Sequence, residues 1–155
     1  MKKSILAVFL LLLSMATFAQ ILSADQIIGI WKCDDYKIEV FKAGDTYRAR
    51  LLWSKEMFEA DGRTPKKDVK NPDEKLRSRS VQGLTHITDL VYKDGEYVDG
   101  KLYSVQDGNT YGFKGKLKGP DDLETRGYKG IPLMGKSFKW NRILPLFQVQ
   151  KNLSQ

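Results

Sequence analysis

The sequence predicts an all-β protein, an antiparallel up-and-down β-barrel of about eight strands. Short stretches of alternating apolar and polar residues follow one another along the chain. Glycine- and aspartate-rich turns separate them at a spacing of roughly ten residues. Consecutive short antiparallel strands of this number favour a closed barrel, because closure removes exposed strand edges. The interior of such a barrel is either filled by side chains or holds one small ligand.

The predicted strands form two groups on either side of a charged segment. The first group covers residues 27–33, 36–42 and 46–53. The second group covers residues 85–92, 96–104, 110–118, 123–128 and 136–143. In the strand 46–53, Tyr47, Ala49 and Leu51 share one face while Arg48 and Arg50 share the other. This alternation is typical of a half-buried strand.

Residues 54–83 interrupt the alternation, with "KDVKNPDEKLRSRSVQG" at their centre. We predict that Asn71 caps a short helical turn, with Pro72 at the first helical position and Glu74 at the third. Arg77 and Arg79 then project from the end of this turn. The segment is predicted to be an ordered surface excursion between the third and fourth strands.

Several carboxylates crowd the same segment. They do not follow the spacing of a calcium-binding loop, and lysines interrupt them, so local salt bridges and caps are the favoured interpretation. No metal site or cofactor is predicted. The carboxylates are Asp61, Asp68, Asp73 and Glu74.

The first nineteen residues are typical of a secretory signal peptide. Lys2 and Lys3 precede the apolar run "ILAVFLLLL", and Thr17 and Ala19 occupy the small positions of a cleavage site. The apolar run is too short for a comfortable membrane span. Cleavage near Ala19 leaves residues 20–155 as one barrel domain, exported to the periplasm or the exterior.

The charge pattern excludes some partners. The chain carries a net charge of +7, and after loss of Lys2 and Lys3 it keeps 24 basic and 19 acidic residues. These charges are interleaved along strands, whereas nucleic-acid binding requires a basic stripe with aromatic platforms. Weak attraction to an anionic envelope surface remains compatible with the composition.

The residues that usually carry catalysis are scarce. His86 is the single histidine and Cys33 the single cysteine, and the sequence contains no nucleophile motif such as G-x-S-x-G. Zinc sites need several histidines or cysteines at set spacings. The sequence therefore predicts a non-enzyme, with Cys33 as a small buried residue and His86 as an ordinary strand residue.

Aromatic and arginine side chains recur on shared strand faces. Tyr97 and Tyr103 share one face in the predicted alternation, as do Tyr111 and Phe113. Aromatics with a few guanidinium groups suit a pocket for an apolar body with an anionic head. The alternative is a core filled by the same side chains. The candidate ligand-binding residues are Arg77, Arg79, Tyr103, Tyr111 and Arg126.

Several stretches of the chain resemble known proteins. "GIWK" on the first strand and "WNR" on the last resemble lipocalin barrels, in which a Gly-x-Trp packs against a late arginine. The order of "GIWK", "DVKNPDEKLRSRSVQG", "GKLYSVQDGNTY", "LETRGY" and "FKWNR" resembles the bacterial envelope family called domain of unknown function 2147. In this chain Ser104 and Val105 stand where that family often has Asp-Pro.

The resemblance implies a fold but no activity. It implies a secreted or periplasmic lipocalin-like barrel, closed by Trp31, Trp140 and Arg142, with Trp31 packed against Arg142. Three functions stay open: a binding protein for a small lipophilic ligand, an envelope interaction module with a filled core, and a small envelope hydrolase. In the first, residues 54–83 cover the barrel mouth.

Overall fold

A computed structural model describes residues 24–143 of the protein. It confirms the predicted fold: eight antiparallel strands form a closed barrel in which each strand pairs with its neighbours in the sequence and the first pairs with the last. The signal peptide expected at residues 1–19 lies outside the described residues. Within residues 24–143, no helix has the length and apolar character needed to cross a membrane.

The strand bounds agree with the predicted ones to within two residues. The strands are β1 Gly29–Lys32, β2 Tyr36–Ala43, β3 Thr46–Ser54, β4 Thr85–Lys93, β5 Glu96–Tyr103, β6 Thr110–Leu117, β7 Asp122–Tyr128 and β8 Gly135–Arg142, with one 3₁₀ turn at Glu74–Leu76. Because the strands run up and down, their connections gather at two ends. The closed end holds the hairpins β2–β3, β4–β5 and β6–β7. The loop end holds the other four connections.

Large side chains fill the centre of the barrel. Trp31, Tyr97 and Leu90 are fully buried in one apolar cluster. Glycines on the inner face leave no gap: a Cβ added at Gly100 would lie 2.7 Å from Leu90, and one at Gly127 would lie 3.1 Å from Leu102. Leucines from neighbouring strands therefore occupy the space that these glycines vacate.

Two aspartates shift the side-chain alternation in β4 and β5. Asp89 and Asp99 adopt positive φ angles of 62° and 60°, and the pairing of β5 with β6 slips between Tyr97 and Gly100. An irregularity of this kind moves the following residues to the other face of the strand. Tyr103, expected on the face of Tyr97, instead shares the outward face of Lys101.

The N-terminal segment seals the closed end. The Arg142 guanidinium lies over the Trp31 ring, 4.1 Å from its centroid. Its Nη1 and Nη2 donate hydrogen bonds to the carbonyl oxygens of Ile28 at 2.8 Å and Gln26 at 2.6 Å. Gly29 makes this approach feasible, because a Cβ there would lie 2.6 Å from Nη1 of Arg142. The contact that the lipocalin resemblance implied is thus present.

Replacing Arg142 by alanine is expected to destabilise the barrel by about 2–4 kcal/mol, because charge-assisted hydrogen bonds and a cation–π contact are lost together. Urea unfolding measures this loss. Arg50→Ala is the matched control. Arg50 is exposed and makes an ion pair with Glu39 and a cation–π contact with Phe41, so its loss should cost about 1 kcal/mol or less. Equal costs for the two variants would show that the closed end does not depend on Arg142.

Candidate functional site

The β3–β4 excursion packs into the loop end of the barrel. Met57 and Val81 are buried and belong to the same apolar cluster as Trp31. The backbone N–H of Lys66 donates to the Met57 carbonyl at 2.8 Å, and the N–H of Val81 donates to the Lys66 carbonyl at 3.0 Å. The excursion therefore covers the β3–β4 side of the loop end.

A buried carboxylate ties the excursion to β5. Asp68 is fully buried, and its Oδ1 accepts a hydrogen bond from the Tyr103 hydroxyl at 2.6 Å. Its Oδ2 accepts from Nδ2 of Asn71 at 2.8 Å and forms an ion pair with Nη2 of Arg79 at 2.8 Å. A buried charge is tolerated only when it is paired and hydrogen-bonded in this way.

This network determines what its members can do. Burial, with the hydrogen bond to Asp68, raises the pKa of Tyr103 to about 12, so this phenol stays neutral at physiological pH. Arg79 has its charge matched by Asp68 and lies over the Tyr103 ring, 5.7 Å from its centroid. Both residues, predicted as ligand contacts, therefore serve to hold the excursion in the described structure.

The helical turn begins two residues later than predicted. Asp73, not Asn71, is the N-cap, and its side chain accepts a hydrogen bond from the Lys75 N–H at 3.0 Å. Oδ1 of Asn71 accepts from the Asp73 N–H at 2.9 Å across Pro72, which forms an Asx-turn before the cap. Nδ2 of Asn71 donates to Asp68 and to the Tyr103 hydroxyl, so Asn71 joins the segment before the turn to β5.

Arg77 closes the same turn from its other end. Its Nε donates to the Asn71 carbonyl at 2.8 Å, and its Nη1 forms an ion pair with Glu74 at 3.2 Å. Arg77 therefore stabilises the excursion through contacts with two of its own residues.

A group of side chains that keep part of their surface exposed points inward at the loop end. We call this group the mouth. Phe138 lies opposite buried Thr125, and Tyr111 lies opposite Leu102, which in turn lies opposite buried Ile87. Antiparallel partners share a face, so these side chains face the interior. The mouth consists of Tyr36, Leu102, Val105, Tyr111, Lys136 and Phe138.

An aromatic cluster forms one wall of the mouth. The Tyr36 ring stacks edge-to-face on Phe138 at 5.8 Å and lies 6.4 Å from Trp140. Nε1 of Trp140 donates to the Thr125 hydroxyl at 2.8 Å, which fixes the indole deeper in the barrel. Burial raises the pKa of Tyr36, so the wall is uncharged.

Charged groups stand at the rim of the mouth. Lys136 lies opposite Gly127 on the inner face, with its Nζ 5.0 Å from the centroid of the Phe138 ring. The Tyr111 hydroxyl donates to the Asp107 carboxylate, and this bond lowers the pKa of Asp107. Lys136 was missed in the sequence, although the spacing in "KSFKW" places it on the face of Phe138 and Trp140.

Arg126 lies outside the barrel, contrary to the predicted lining role. It stands opposite Lys114 and Ser137 on the outer face. Its guanidinium donates to the Pro132 and Leu133 carbonyls and to the Ser137 hydroxyl. The alternation in "LETRGY" places Arg126 on the face opposite Leu123 and Thr125, and both of these residues are buried.

Other candidate chemistry is sparse in the described residues. Cys33 is a half-buried free thiol packed against the core. Residues 24–143 contain no group of three or more histidine, cysteine, aspartate or glutamate side chains that could hold a metal ion. A depression of about 230 Å³ lies on the outer face of β5–β8, where the lysines Lys116 and Lys118 pair with Glu96 and Glu124.

Comparison with known proteins supports the fold assignment. Residues 29–142 match the family described as "Uncharacterized protein conserved in bacteria (DUF2147)". A solved structure from Helicobacter pylori, titled "Protein HP1028 from the human pathogen Helicobacter pylori belongs to the lipocalin family", is 30% identical. The alignment covers 82% of this chain and 88% of that one, with a TM-score of 0.67. No curated protein matches the chain.

Asp68→Asn is expected to loosen the excursion, because an amide cannot match the charge of Arg79 and loses one acceptor. The loss should be about 2–3 kcal/mol. Hydrogen exchange should become faster in residues 66–83 and stay unchanged in β6–β8. Asp73→Asn is the control, since Asp73 is exposed in the same segment. If both variants exchange alike, Asp68 does not hold the excursion.

His86 is expected to make the protein acid-sensitive. Its Nδ1 is shielded from solvent and has no hydrogen-bond partner among the described residues, and burial lowers its pKa from 6.5 to about 4. The unfolded chain therefore binds more protons between these values, so the free energy of unfolding falls as the pH drops below 6.5.

At 1.36 kcal/mol per pKa unit, the fall from pH 6.5 to pH 5 is at most about 2 kcal/mol. Urea unfolding at several pH values measures it, and His86→Gln should remove it while leaving the contribution of the carboxylates in place. If the free energy of unfolding of His86→Gln falls with pH as steeply as that of the wild type, the acid sensitivity does not come from His86.

Proposed function

Because the chain belongs to the DUF2147 family of bacterial proteins, and its barrel is lipocalin-like, we propose that it is an exported, non-catalytic binding protein. It takes a small lipophilic or amphipathic ligand at the loop end of its barrel. The half-exposed aromatic and apolar lining of the mouth is the observation that carries this proposal. Ligand sites are usually concave and apolar with a few placed polar groups.

The packing of the barrel favours the mouth over the deep interior. Trp31 and Tyr97 fill the closed end, and leucines fill the space beside Gly100 and Gly127. Side chains at the mouth keep part of their surface exposed, so a ligand there would cover apolar area that water now contacts. The proposed site is therefore a shallow cup bounded by Tyr36, Phe138 and Leu102.

The charges at the rim indicate the ligand chemistry. Lys136 has no carboxylate within ion-pair distance among residues 24–143, so its ammonium is available to an anionic head group. Asp107, in contrast, already accepts a hydrogen bond from the Tyr111 hydroxyl. We therefore propose an apolar body against Tyr36 and Phe138, with an anionic head at Lys136.

The proposed location rests on the N-terminal sequence. The basic pair, apolar run and small residues before Ala19 are typical of an exported protein. Mass spectrometry of the protein isolated from its host establishes the mature N-terminus.

An envelope interaction module is the second candidate. It is favoured by the depth to which Met57 and Val81 fill the loop end, because a barrel filled from both ends leaves its surfaces to do the binding. Native mass spectrometry separates the two candidates: a co-purifying small molecule supports the binding protein, and a co-purifying protein supports the interaction module.

Titration with cis-parinaric acid, a fluorescent anionic fatty acid, tests the mouth directly. Saturable binding should quench Trp140 by energy transfer. Phe138→Ala should weaken binding about tenfold through lost apolar contact. Lys136→Ala should weaken it about two- to fivefold, as expected for an exposed charge pair.

Lys139→Ala is the matched control, because Lys139 lies on the outer face of the same strand opposite Glu124. It should bind the probe as the wild-type protein does. The absence of saturable binding to the wild type, or equal losses in Lys136→Ala and Lys139→Ala, would overturn the proposed site.

A further inference from the structure

Exposed apolar side chains concentrate at the loop end of the barrel. Among residues 24–143, four large apolar residues have more than half of their surface exposed: Val69 at 65%, Ile131 at 55%, Leu133 at 83% and Met134 at 68%. Val69 lies in the β3–β4 excursion, and the other three lie in the β7–β8 connection. Isolated exposed apolar residues are ordinary, but a group of three on one connection indicates an interaction site.

The β7–β8 connection, residues 129–134, is an ordered tip. The Lys129 N–H donates to the Met134 carbonyl at 3.1 Å, and the Met134 N–H donates to the Ile131 carbonyl at 3.0 Å. The Ile131 N–H donates to the Lys129 carbonyl at 2.9 Å. The apolar side chains are thus displayed on a hydrogen-bonded loop.

Arg126 completes the hydrogen bonding of this tip. Its Nε donates to the Pro132 carbonyl, and its Nη2 donates to the Leu133 carbonyl at 3.0 Å. Its Nη1 donates a hydrogen bond to the Ser137 hydroxyl at 2.8 Å. The carbonyls at the apex of the tip are therefore satisfied within the protein, which is the condition for entering an apolar medium.

The chain on both sides of the tip is basic. Residues 126–139 contain four basic residues and no acidic residue. Lys129 and Lys136 border the tip, and neither has a carboxylate within ion-pair distance in the described part of the chain. Lysines beside a membrane-inserting segment are attracted to anionic lipid headgroups.

We propose that the 129–134 tip docks the loop end on a bilayer that contains anionic phospholipids. Ile131, Leu133 and Met134 enter the interface between headgroups and acyl chains, while Lys129 and Lys136 meet lipid phosphates. A stable protein interface takes roughly 20–30 residues a side, far more than this tip offers. A bilayer surface, unlike a protein partner, does not have to be complementary in shape to the tip.

Docking in this orientation turns the mouth toward the membrane. The β7–β8 connection and the inward side chains of Phe138 and Lys136 lie at the same end of the barrel. The docking inference stands without the ligand proposal, because the tip and its basic border are present whether or not the mouth is occupied.

Vesicle flotation tests the docking. Protein isolated from the cell envelope should bind vesicles of phosphatidylethanolamine with phosphatidylglycerol, and bind at least tenfold more weakly to phosphatidylcholine vesicles or in high salt. The double variant Leu133→Ser, Met134→Ser should bind at least tenfold more weakly than the wild type. Val91→Ser, which replaces an exposed apolar residue near the closed end, should bind as the wild type does.

A second variant keeps the test valid if the double variant does not fold. Leu133→Trp should bind at least as tightly as the wild type, with a blue-shifted emission that brominated lipids quench. Failure of the wild type to bind anionic vesicles would overturn the proposal, as would equal binding by the double variant. Self-association without vesicles that the double variant abolishes would assign the tip to a second copy of the chain and overturn it too.

Discussion

The contact between Arg142 and Trp31 is the interaction on which the barrel depends. Within residues 24–143, β1 and β8 share the pairs Trp31–Arg142 and Lys32–Asn141, and the Ile143 N–H donates to the Ile30 carbonyl at 2.8 Å. These few backbone contacts alone would join the first and last strands weakly. The guanidinium adds a cation–π contact and hydrogen bonds to the segment before β1. Because one side chain binds both strands and the N-terminal segment, the closed end is fixed. The side chains that remain exposed to a ligand or a surface lie at the loop end.

The strands were predictable because their pattern is local. The side of the sheet on which the side chains after a bulge lie was not predictable. Alternation and turn residues identify each strand within a window of about ten residues. Asp99 takes a positive φ inside β5. Gly100 beside it is compatible with a bulge, but "EYVDGKLY" does not show that the bulge forms or which residue carries it. One such residue was enough to turn Tyr103 from the predicted interior to the outer face.

Asp68 shows why the excursion was only partly predictable. Its composition indicated an ordered surface segment, and it is ordered, but the carboxylate at its centre is fully buried. The partners of Asp68 lie 11 residues away at Arg79 and 35 residues away at Tyr103, distances that no local pattern spans. The two arginines that looked available for a ligand are therefore engaged, and the candidate site is the mouth, with side chains from β2, β5, β6 and β8.

Arg126 links the two properties of the loop end. As a lining residue it would have brought a charge into an apolar barrel, where an unpaired guanidinium is costly. On the outer face it meets three oxygen acceptors instead, and its charge satisfies the carbonyls of the most exposed apolar loop. The same alternation that places Arg126 outside places Thr125 and Gly127 inside. The strand that keeps the barrel interior apolar therefore also supports the tip that faces outward.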